Sequence, residues 1–246
     1  MKMPICHFSF NIKNWAIVCN KKLEVDDWKK GETFWQKSVV DFEDVSPKLA
    51  FLPPLKRRRL SPSARLFFES AWGLLNENKN IPVVYASSNG EINRNFDLWH
   101  SLLTEGDVSP TSFSLSVHNA LVGQWSELSG VKAEITALTA QQDNLEIALL
   151  EAYLLLNESV DEVLVVVAES PLAGSYNVSP IYRQPFSYAL GLLVEKGDNY
   201  TLLLDENEGK SLGSDNALTW VQHQYLDVKK WQTKSSVKGT WQWVKN

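Results

Sequence analysis

The chain has 246 residues, of which 44% are hydrophobic and 22% are charged, and these proportions exclude a disordered or fibrous protein. Lysine and arginine total 24 against 29 acidic residues. The resulting net charge of −5 argues against attraction of the whole chain to nucleic acid or to anionic lipid. We expect a single domain covering residues 1–246.

The chemistry-bearing residue types are few and scattered. Two cysteines, Cys6 and Cys19, and four histidines show no metal-ligand spacing, so we expect neither a metal site nor a cofactor. Both cysteines are expected to be buried small residues. No stretch approaches the roughly 20 apolar residues of a membrane span, and the first residues lack the apolar region of a secretory signal. We therefore expect a cytoplasmic protein without a membrane span.

The first half of the chain predicts strands and helices in alternation. Three apolar runs have the length of strands: 8–12, 15–19 and 81–86. The first two are typical of edge or hairpin strands, and the third of a buried strand. A polar loop is predicted as far as Asp44. One helix is predicted from Ser63, with Ser61 as its N-cap, and a second over 93–103.

The second half continues this pattern. Helical spacing runs from Thr111 to Gly130 and again over 144–156. Four further runs predict strands, of which the last two resemble a pair: 133–140, 163–168, 188–194 and 200–204. The order predicts an α/β fold in which helices cover a mixed sheet in α/β/α layers. After Asp205 the pattern weakens into a polar, tryptophan-rich tail over 205–246.

Between Pro110 and Glu169 the sequence resembles the N-terminal half of a β-ketoacyl synthase, a member of the thiolase-like fold. The matching stretches are Ser109-Pro110-Thr111-Ser112-Phe113, Ser116-Val117-His118-Asn119-Ala120, Gly123-Gln124-Trp125-Ser126, Leu138-Thr139-Ala140 and the strand Asp161 to Glu169. The resemblance implies about one repeat of that fold, followed by a divergent tail. It also implies that the C-terminal half, which supplies the catalytic histidines of a synthase, is missing.

In such synthases the strand that reaches the position of Ala140 ends in an active-site cysteine, and here the corresponding residue is Gln141. A primary amide cannot accept an acyl group as a nucleophile, so the resemblance implies a protein that is not an enzyme. Glutamine at this position is typical of the chain length factor, the inactive partner of a ketosynthase. The short chain and its Arg-Arg-Arg run most resemble the chain length factors of bacterial aryl polyene clusters.

The resemblance therefore implies a heterodimer with a full-length β-ketoacyl synthase, whose acyl tunnel this chain would shape, and an indirect relation to an acyl carrier protein. Two alternatives stay open. One is a malonyl-carrier-protein decarboxylase or other acyl enzyme that uses Gln141, and the other is a purely structural stabiliser of the synthase. The pattern Gly209-x-Ser211-x-Gly213 matches a hydrolase motif by letters, but its flanks are polar loop sequence and we discard it.

The resemblance also implies three groups of candidate site residues. Candidates for lining or closing the acyl tunnel are Ser116, His118, Leu121, Val122, Trp125 and Leu145. For His118 a hydrogen-bonded core position is the alternative. Because the strand before the nucleophile pairs across the two-fold axis of thiolase-like dimers, the expected partner contacts are Glu134, Ile135, Thr136, Ala137, Leu138 and Thr139. A candidate patch for the carrier protein or the partner is the basic run Lys56, Arg57, Arg58 and Arg59.

Overall fold

The computed structural model describes residues 4–75, 80–158, 160–176, 182–206, 214–236 and 238–246, and the pattern at 209–213 lies outside them. Within them one mixed sheet contains seven strands: β1 Cys6–Cys19, β2 Val83–Ala86, β3 Ile135–Leu138, β4 Glu162–Glu169, β5 Tyr188–Asp205, β6 Lys230–Lys234 and β7 Thr240–Lys245. Their order is β3-β2-β4-β5-β7-β6, with β1 antiparallel along β5. Strand β2 is parallel to both of its neighbours, and the other pairs are antiparallel.

The helices of the described residues cover both faces of this sheet: α1 Val25–Lys30, α2 Glu32–Ser38, α3 Pro54–Arg57, α4 Pro62–Trp72, α5 Ile92–Glu105, α6 Pro110–Ser114, α7 Ala120–Ser129, α8 Asn144–Asn157 and α9 Asn216–Tyr225. One hydrophobic cluster joins the sheet to α4 and α7, and the other joins it to α8 and α9. The predicted α/β/α layering is confirmed. None of these helices is long and apolar enough to cross a membrane.

Helix α4 shows how local sequence and packing combine. It begins where Ser61 accepts the backbone N–H of Ala64, which confirms the predicted N-cap. The helix then crosses β5 at Gly191. A Cβ atom at that position would lie 2.8 Å from Leu74 Cδ1 and 3.2 Å from the Ser70 carbonyl oxygen. The missing side chain therefore allows the helix to lie close to the sheet.

Two predicted pairs of short strands are each one continuous strand. Strand β1 contains both 8–12 and 15–19, and β5 contains both 188–194 and 200–204, so the expectation of separate strands was wrong. Among the described residues β1 pairs only with β5, in agreement with the edge position expected for 8–12 and 15–19. Register shifts after Phe10 and after Ile12 bend β1 without ending it. Asn11 stabilises the bend, because its side-chain oxygen accepts two N–H groups of β5. These bulges interrupt the alternation of polar and apolar residues on which the prediction depended.

Two segments contain helices that the sequence did not predict as such. The segment before Asp44 was expected to be a loop, but it contains α1 and α2, which bury Trp28 and Trp35. The helix expected from Thr111 to Gly130 is two helices, α6 and α7, separated by residues 115–119. Both expectations were wrong because helices of five to seven residues carry too few periodic positions to be recognised or separated.

The expected loss of regular structure after Asp205 was also wrong. Residues 214–246 contain α9, β6 and β7, apart from residue 237, which lies outside the described residues. Trp231 is 6% exposed, and Trp241 and Trp243 are each 1% exposed. Trp241 and Trp243 are two positions apart in β7, so their side chains lie on the same face of the sheet and both point into the core. The tail therefore completes the sheet and supplies a large part of the aromatic core.

Candidate functional site

Gln141, predicted to stand at the nucleophile position, lies in a sharp turn between β3 and α8. Its φ angle is +53°, in the left-handed region that disfavours residues with a side chain. Residues Gln141–Asp143 form one 3-10 turn, and α8 follows directly. Ser88 Oγ donates to the Gln141 carbonyl oxygen at 2.9 Å, and the Ala140 N–H donates to Asn144 Oδ1 at 2.6 Å. These contacts stabilise the strained turn.

Glu169, the last residue of β4, connects this turn to the loop after β2. Its carboxylate accepts the Ser88 N–H at 2.5 Å, the Ser87 hydroxyl at 3.2 Å and the Asn144 side-chain N–H at 2.9 Å. Burial raises the pKa of Glu169 to about 7, and the hydrogen bonds only partly offset this effect. The carboxylate organises both sides of the turn.

A cavity of about 280 Å³ opens beside Gln141. Its wall combines two carboxylates with amide, hydroxyl and apolar groups from Ser88, Asn89, Gln141, Gln142, Asn144, Leu145, Val167, Glu169, Tyr182, Gln184, Tyr188, Ser214, Asp215 and Ala217. Asp215 caps α9 and accepts the Tyr188 hydroxyl at 2.8 Å. Burial raises the pKa of Asp215 to about 6. Among the described lining residues the wall is acidic and contains no cationic side chain.

The turn between β6 and β7 contacts the turn at Gln141. Ser236 Oγ accepts the N–H groups of Gln142 at 3.1 Å and Asp143 at 3.4 Å. The Asp143 carboxylate accepts the Trp241 indole N–H at 3.0 Å. Sequence reasoning missed this contact, because 93 residues separate Ser236 from Asp143 and no local pattern marks it.

Neither cysteine belongs to the cavity. Both Cys6 and Cys19 lie in β1 and are partly buried. Burial raises the pKa of the Cys19 thiol to about 11, so the thiolate that attacks an acyl group is disfavoured there. That Gln141 stands at the position of a synthase nucleophile stays a prediction. No group of metal-ligating side chains occurs among the described residues.

The structure separates the tunnel candidates. Leu145 lies with Gln141 in the cavity wall. Val122 lines a second, open groove between α7 and β3. Leu121 and Trp125 are instead packed in the core, where the Trp125 ring contacts the rings of Phe67, Phe68 and Trp72 at 5.1 to 5.9 Å. Their role in a tunnel stays a prediction.

The other two tunnel candidates make internal contacts near the end of β3. Ser116 donates its hydroxyl proton to the Phe113 carbonyl oxygen at 2.8 Å. His118 stacks on Tyr85 with the ring centres 5.4 Å apart, and its Nε2 lies 3.0 Å from the Leu138 carbonyl oxygen. Both therefore connect the α6–α7 region to its surroundings, and neither lines the cavity beside Gln141.

The expected interface strand lies at an edge of the sheet. Within the described chain β3 pairs only with β2, through bonds such as Val83 N–H to the Glu134 oxygen and Ser87 N–H to the Leu138 oxygen. In a parallel strand the backbone N–H and C=O groups of alternate residues point to the same neighbouring strand, so the backbone groups of Thr136 also face β2. Ile135 and Ala137 then direct their backbone groups outward. Contact of Glu134 to Thr139 with a partner stays a prediction.

The basic run is divided between internal contacts and solvent. Lys56 donates to Glu127 of α7 at 2.5 Å, and Arg57 donates to the Lys48 carbonyl oxygen at 2.8 Å. Arg58 and Arg59 are exposed. Only half of the run is thus available as a charged surface, and its contact with a carrier protein stays a prediction.

Sequence reasoning also missed the carboxylates of this site. Glu169 ends the most apolar strand of the chain, and a charge at the end of a buried strand was a usable signal. Asp215 stands three residues before Leu218, whose N–H it accepts, which is the spacing of an N-cap. Their convergence on one cavity depends on the order of the strands, which no local pattern encodes.

Comparison with known proteins supports the resemblance. The β-ketoacyl synthase, N-terminal domain, family matches residues 27–244. One solved structure, the ketosynthase ApeO in complex with its chain length factor ApeC from Xenorhabdus doucetiae, contains a chain similar to this one, with a TM-score of 0.77 and 22% identity. The match covers 97% of this chain and 100% of that chain. No curated protein matches.

Two further solved structures are similar over part of their length. The ishigamide ketosynthase/chain length factor has a TM-score of 0.56 and 14% identity, covering 79% of this chain and 66% of that chain. A ketosynthase from module 1 of the bacillaene synthase of Bacillus amyloliquefaciens FZB42 has a TM-score of 0.55 and 14% identity, covering 83% and 47%. The chain thus spans about half of the latter. Together these likenesses confirm the predicted thiolase-like fold.

Proposed function

The chain belongs to the β-ketoacyl synthase N-terminal domain family, and from that premise we propose that it is a non-catalytic chain length factor that pairs with a ketosynthase, in assembly of aryl polyene-type chains. Gln141 carries the proposal. The turn keeps a strained residue between strand and helix, while the side chain there is an amide that cannot be acylated. The fold shared with a chain of a ketosynthase–chain length factor complex supports the choice of partner.

The edge strand β3 provides a place for that partner. The outward backbone groups of Ile135 and Ala137 have no described hydrogen bond, and such an edge favours pairing with another strand. The groove lined by Val122, Gly123, Ile135 and Ala137 lies directly beside this edge. A ketosynthase subunit bound there would cover the groove, and the groove would meet the end of the acyl tunnel of that subunit.

A decarboxylase acting on malonyl groups is less well supported by this site. Such an enzyme must hold the carboxylate of the malonyl group, and a wall of carboxyl groups without a cation offers this anion no opposite charge. Glu169 and Asp215 line the cavity, and no lysine, arginine or histidine is among its described lining residues. Carbon dioxide release from malonyl-carrier protein by the purified chain alone would overturn the proposal.

The first experiment is co-expression with a full-length ketosynthase from the same genome, followed by measurement of the solution mass. We expect a one-to-one complex. The variant Ala137→Pro removes one outward N–H of β3 and no N–H that faces β2, so it should abolish the complex while the chain remains folded. Ala137→Val keeps this N–H and is the matched control. A complex that survives Ala137→Pro would exclude pairing through β3.

A second experiment separates a length-setting subunit from a structural stabiliser. A Cβ atom at Gly123 of α7 meets no atom within 4 Å, so Gly123→Leu can extend into the groove without a clash. We expect the co-expressed complex to make shorter products, because the added side chain fills space that an acyl chain would occupy. Gly123→Ala is the matched control. Gly106→Leu is not suitable, because Gly106 has a φ of +74°, which a leucine adopts only with strain. Unchanged products with an intact complex would favour the stabiliser.

A further inference from the structure

Two backbone N–H groups beside position 141 are occupied by a serine of the chain itself. Gln142 and Asp143 direct their N–H groups at Ser236 Oγ, at 3.1 and 3.4 Å. The Asp143 N–H is shared with the Ala140 carbonyl oxygen at 3.3 Å. The Ser236 hydroxyl in turn donates to the Ala140 carbonyl oxygen, which lies 2.7 Å from Oγ, or to the carboxylate of Asp143. The polar backbone groups of this turn therefore find partners in the chain.

The hairpin that carries the serine is firmly held. The Ser236 N–H and the Ser235 hydroxyl each donate to Asp143 Oδ2 at 3.2 Å, and the Trp241 indole N–H donates to the same oxygen at 3.0 Å. Trp241 is buried in β7. Loss of the Ser236 hydroxyl would thus remove the acceptor of the Gln142 N–H and leave the Asp143 N–H with the Ala140 oxygen alone, while the other contacts still hold the hairpin in place.

Free backbone N–H groups stabilise a nearby thiolate or oxyanion, and so activate a nucleophile. In this chain Ser236 Oγ already accepts from the N–H groups of Gln142 and Asp143. Charges near position 141 give no compensating stabilisation, since they come from Glu169 of β4 and Asp215 before α9, which line the cavity, and from Asp143 of the turn, whose carboxylate bonds to Ser236. Tyr182 and Tyr188 are the remaining titratable groups in the cavity wall.

We propose that Ser236 is a second reason for inactivity beside Gln141, because its hydroxyl occupies the N–H groups that would activate a nucleophile at position 141. The inference rests on the proposed function in one respect, namely that position 141 corresponds to the nucleophile of a synthase. Replacing Gln141 by cysteine would then be insufficient to create a reactive thiol.

The test compares Gln141→Cys with Gln141→Cys/Ser236→Ala in the full chain. Alkylation of the introduced thiol is followed against pH by peptide mass spectrometry, with Cys6 and Cys19 as internal references. In the single variant the rate should rise with a midpoint at or above about 8.5, as for an ordinary thiol. In the double variant the midpoint should fall by about one pH unit. Anionic iodoacetate should then gain about tenfold in rate, and more than neutral iodoacetamide.

The two reagents distinguish a freed anion site from a merely loosened turn, which would accelerate both equally. Gln141→Cys/Ser235→Ala is the matched control, because it removes a hydroxyl from Asp143 and leaves Ser236 in place. A single variant that titrates below about pH 7, or identical midpoints in single and double variants, would overturn the proposal. Co-purification with the ketosynthase tests the proposed function separately and does not depend on this outcome.

A measurement on the unaltered chain keeps the proposal testable even if the double variant fails to fold. Hydrogen exchange at the Gln142 amide should be slow in the unaltered chain, since this N–H is bonded to Ser236. Ser236→Ala should accelerate it at least tenfold, and Ser235→Ala should not. Exchange of the Gln142 amide at the rate of an unprotected peptide in the unaltered chain would refute occupancy by Ser236.

Discussion

The most quantitative prediction concerns Glu146, a carboxyl buried between α8 and the C-terminal strands. Its oxygens accept the Thr233 hydroxyl at 2.5 Å, the Trp243 indole N–H at 3.1 Å and the Asn216 side-chain N–H at 3.1 Å. Its side chain is 0% exposed, and no cation is among these partners. Burial raises the pKa of Glu146 from 4.5 to about 7, although the hydrogen bonds oppose the change.

This pKa has a defined effect on stability. The unfolded chain releases the Glu146 proton near pH 4.5, whereas the folded protein keeps it until about pH 7. The stabilisation that comes from the raised pKa of Glu146 is therefore fully present below about pH 4.5, and it is lost as pH rises through 7. At about 1.4 kcal/mol per pH unit, the loss between pH 5 and pH 8 is roughly 2 to 3 kcal/mol. Glu169 and Asp215, with pKa values raised to about 7 and about 6, act in the same direction.

The variant Glu146→Gln removes this titration and keeps the oxygen that accepts from Thr233 and Trp243. Its new NH₂ group faces the donor of Asn216, which should cost on the order of 1 kcal/mol at every pH. Urea unfolding of both proteins from pH 5 to pH 8 measures the difference. We expect the stability of the variant to decline less by roughly 2 to 3 kcal/mol. Glu158→Gln, exposed after the same helix, controls for loss of a charge. Parallel pH profiles for Glu146→Gln and wild type would refute the reasoning.

Two further predictions concern packing. Trp125→Ala should destabilise the chain by about 3 to 5 kcal/mol in urea unfolding, because Trp125 is fully buried among three aromatic rings. Trp99→Ala is the control and should change the free energy of unfolding by less than about 1 kcal/mol, because Trp99 is 57% exposed. A loss of less than about 1 kcal/mol for Trp125→Ala would show that Trp125 is not a core residue. Gly191→Ala should lower the free energy of unfolding by about 1 to 3 kcal/mol in the same assay, since its Cβ would lie 2.8 Å from Leu74 Cδ1. An unchanged free energy of unfolding would mean that α4 can shift outward.

The sequence determined much of the layered core. Runs of apolar residues long enough to be buried on both faces predicted β2 and β4, and helical spacing predicted α4, α5 and α8 within a few residues. These elements carry their pattern locally, so neighbours in the chain suffice to recognise them. Gln141 was found through the resemblance to β-ketoacyl synthases, and the strand before it and the helix after it mark its turn.

Only the tertiary structure decided how distant segments meet. The bulges of β1, the burial of Trp241 and Trp243, and the contact of Ser236 with the turn at Gln141 join residues separated by up to nearly 200 positions. The cavity is likewise assembled from the ends of separate strands and helices. Its acidic character follows from Glu169 and Asp215, whose pKa values are raised by burial that exists only after folding. Local residue patterns specify elements, whereas long-range pairing and desolvation specify the chemistry of the site.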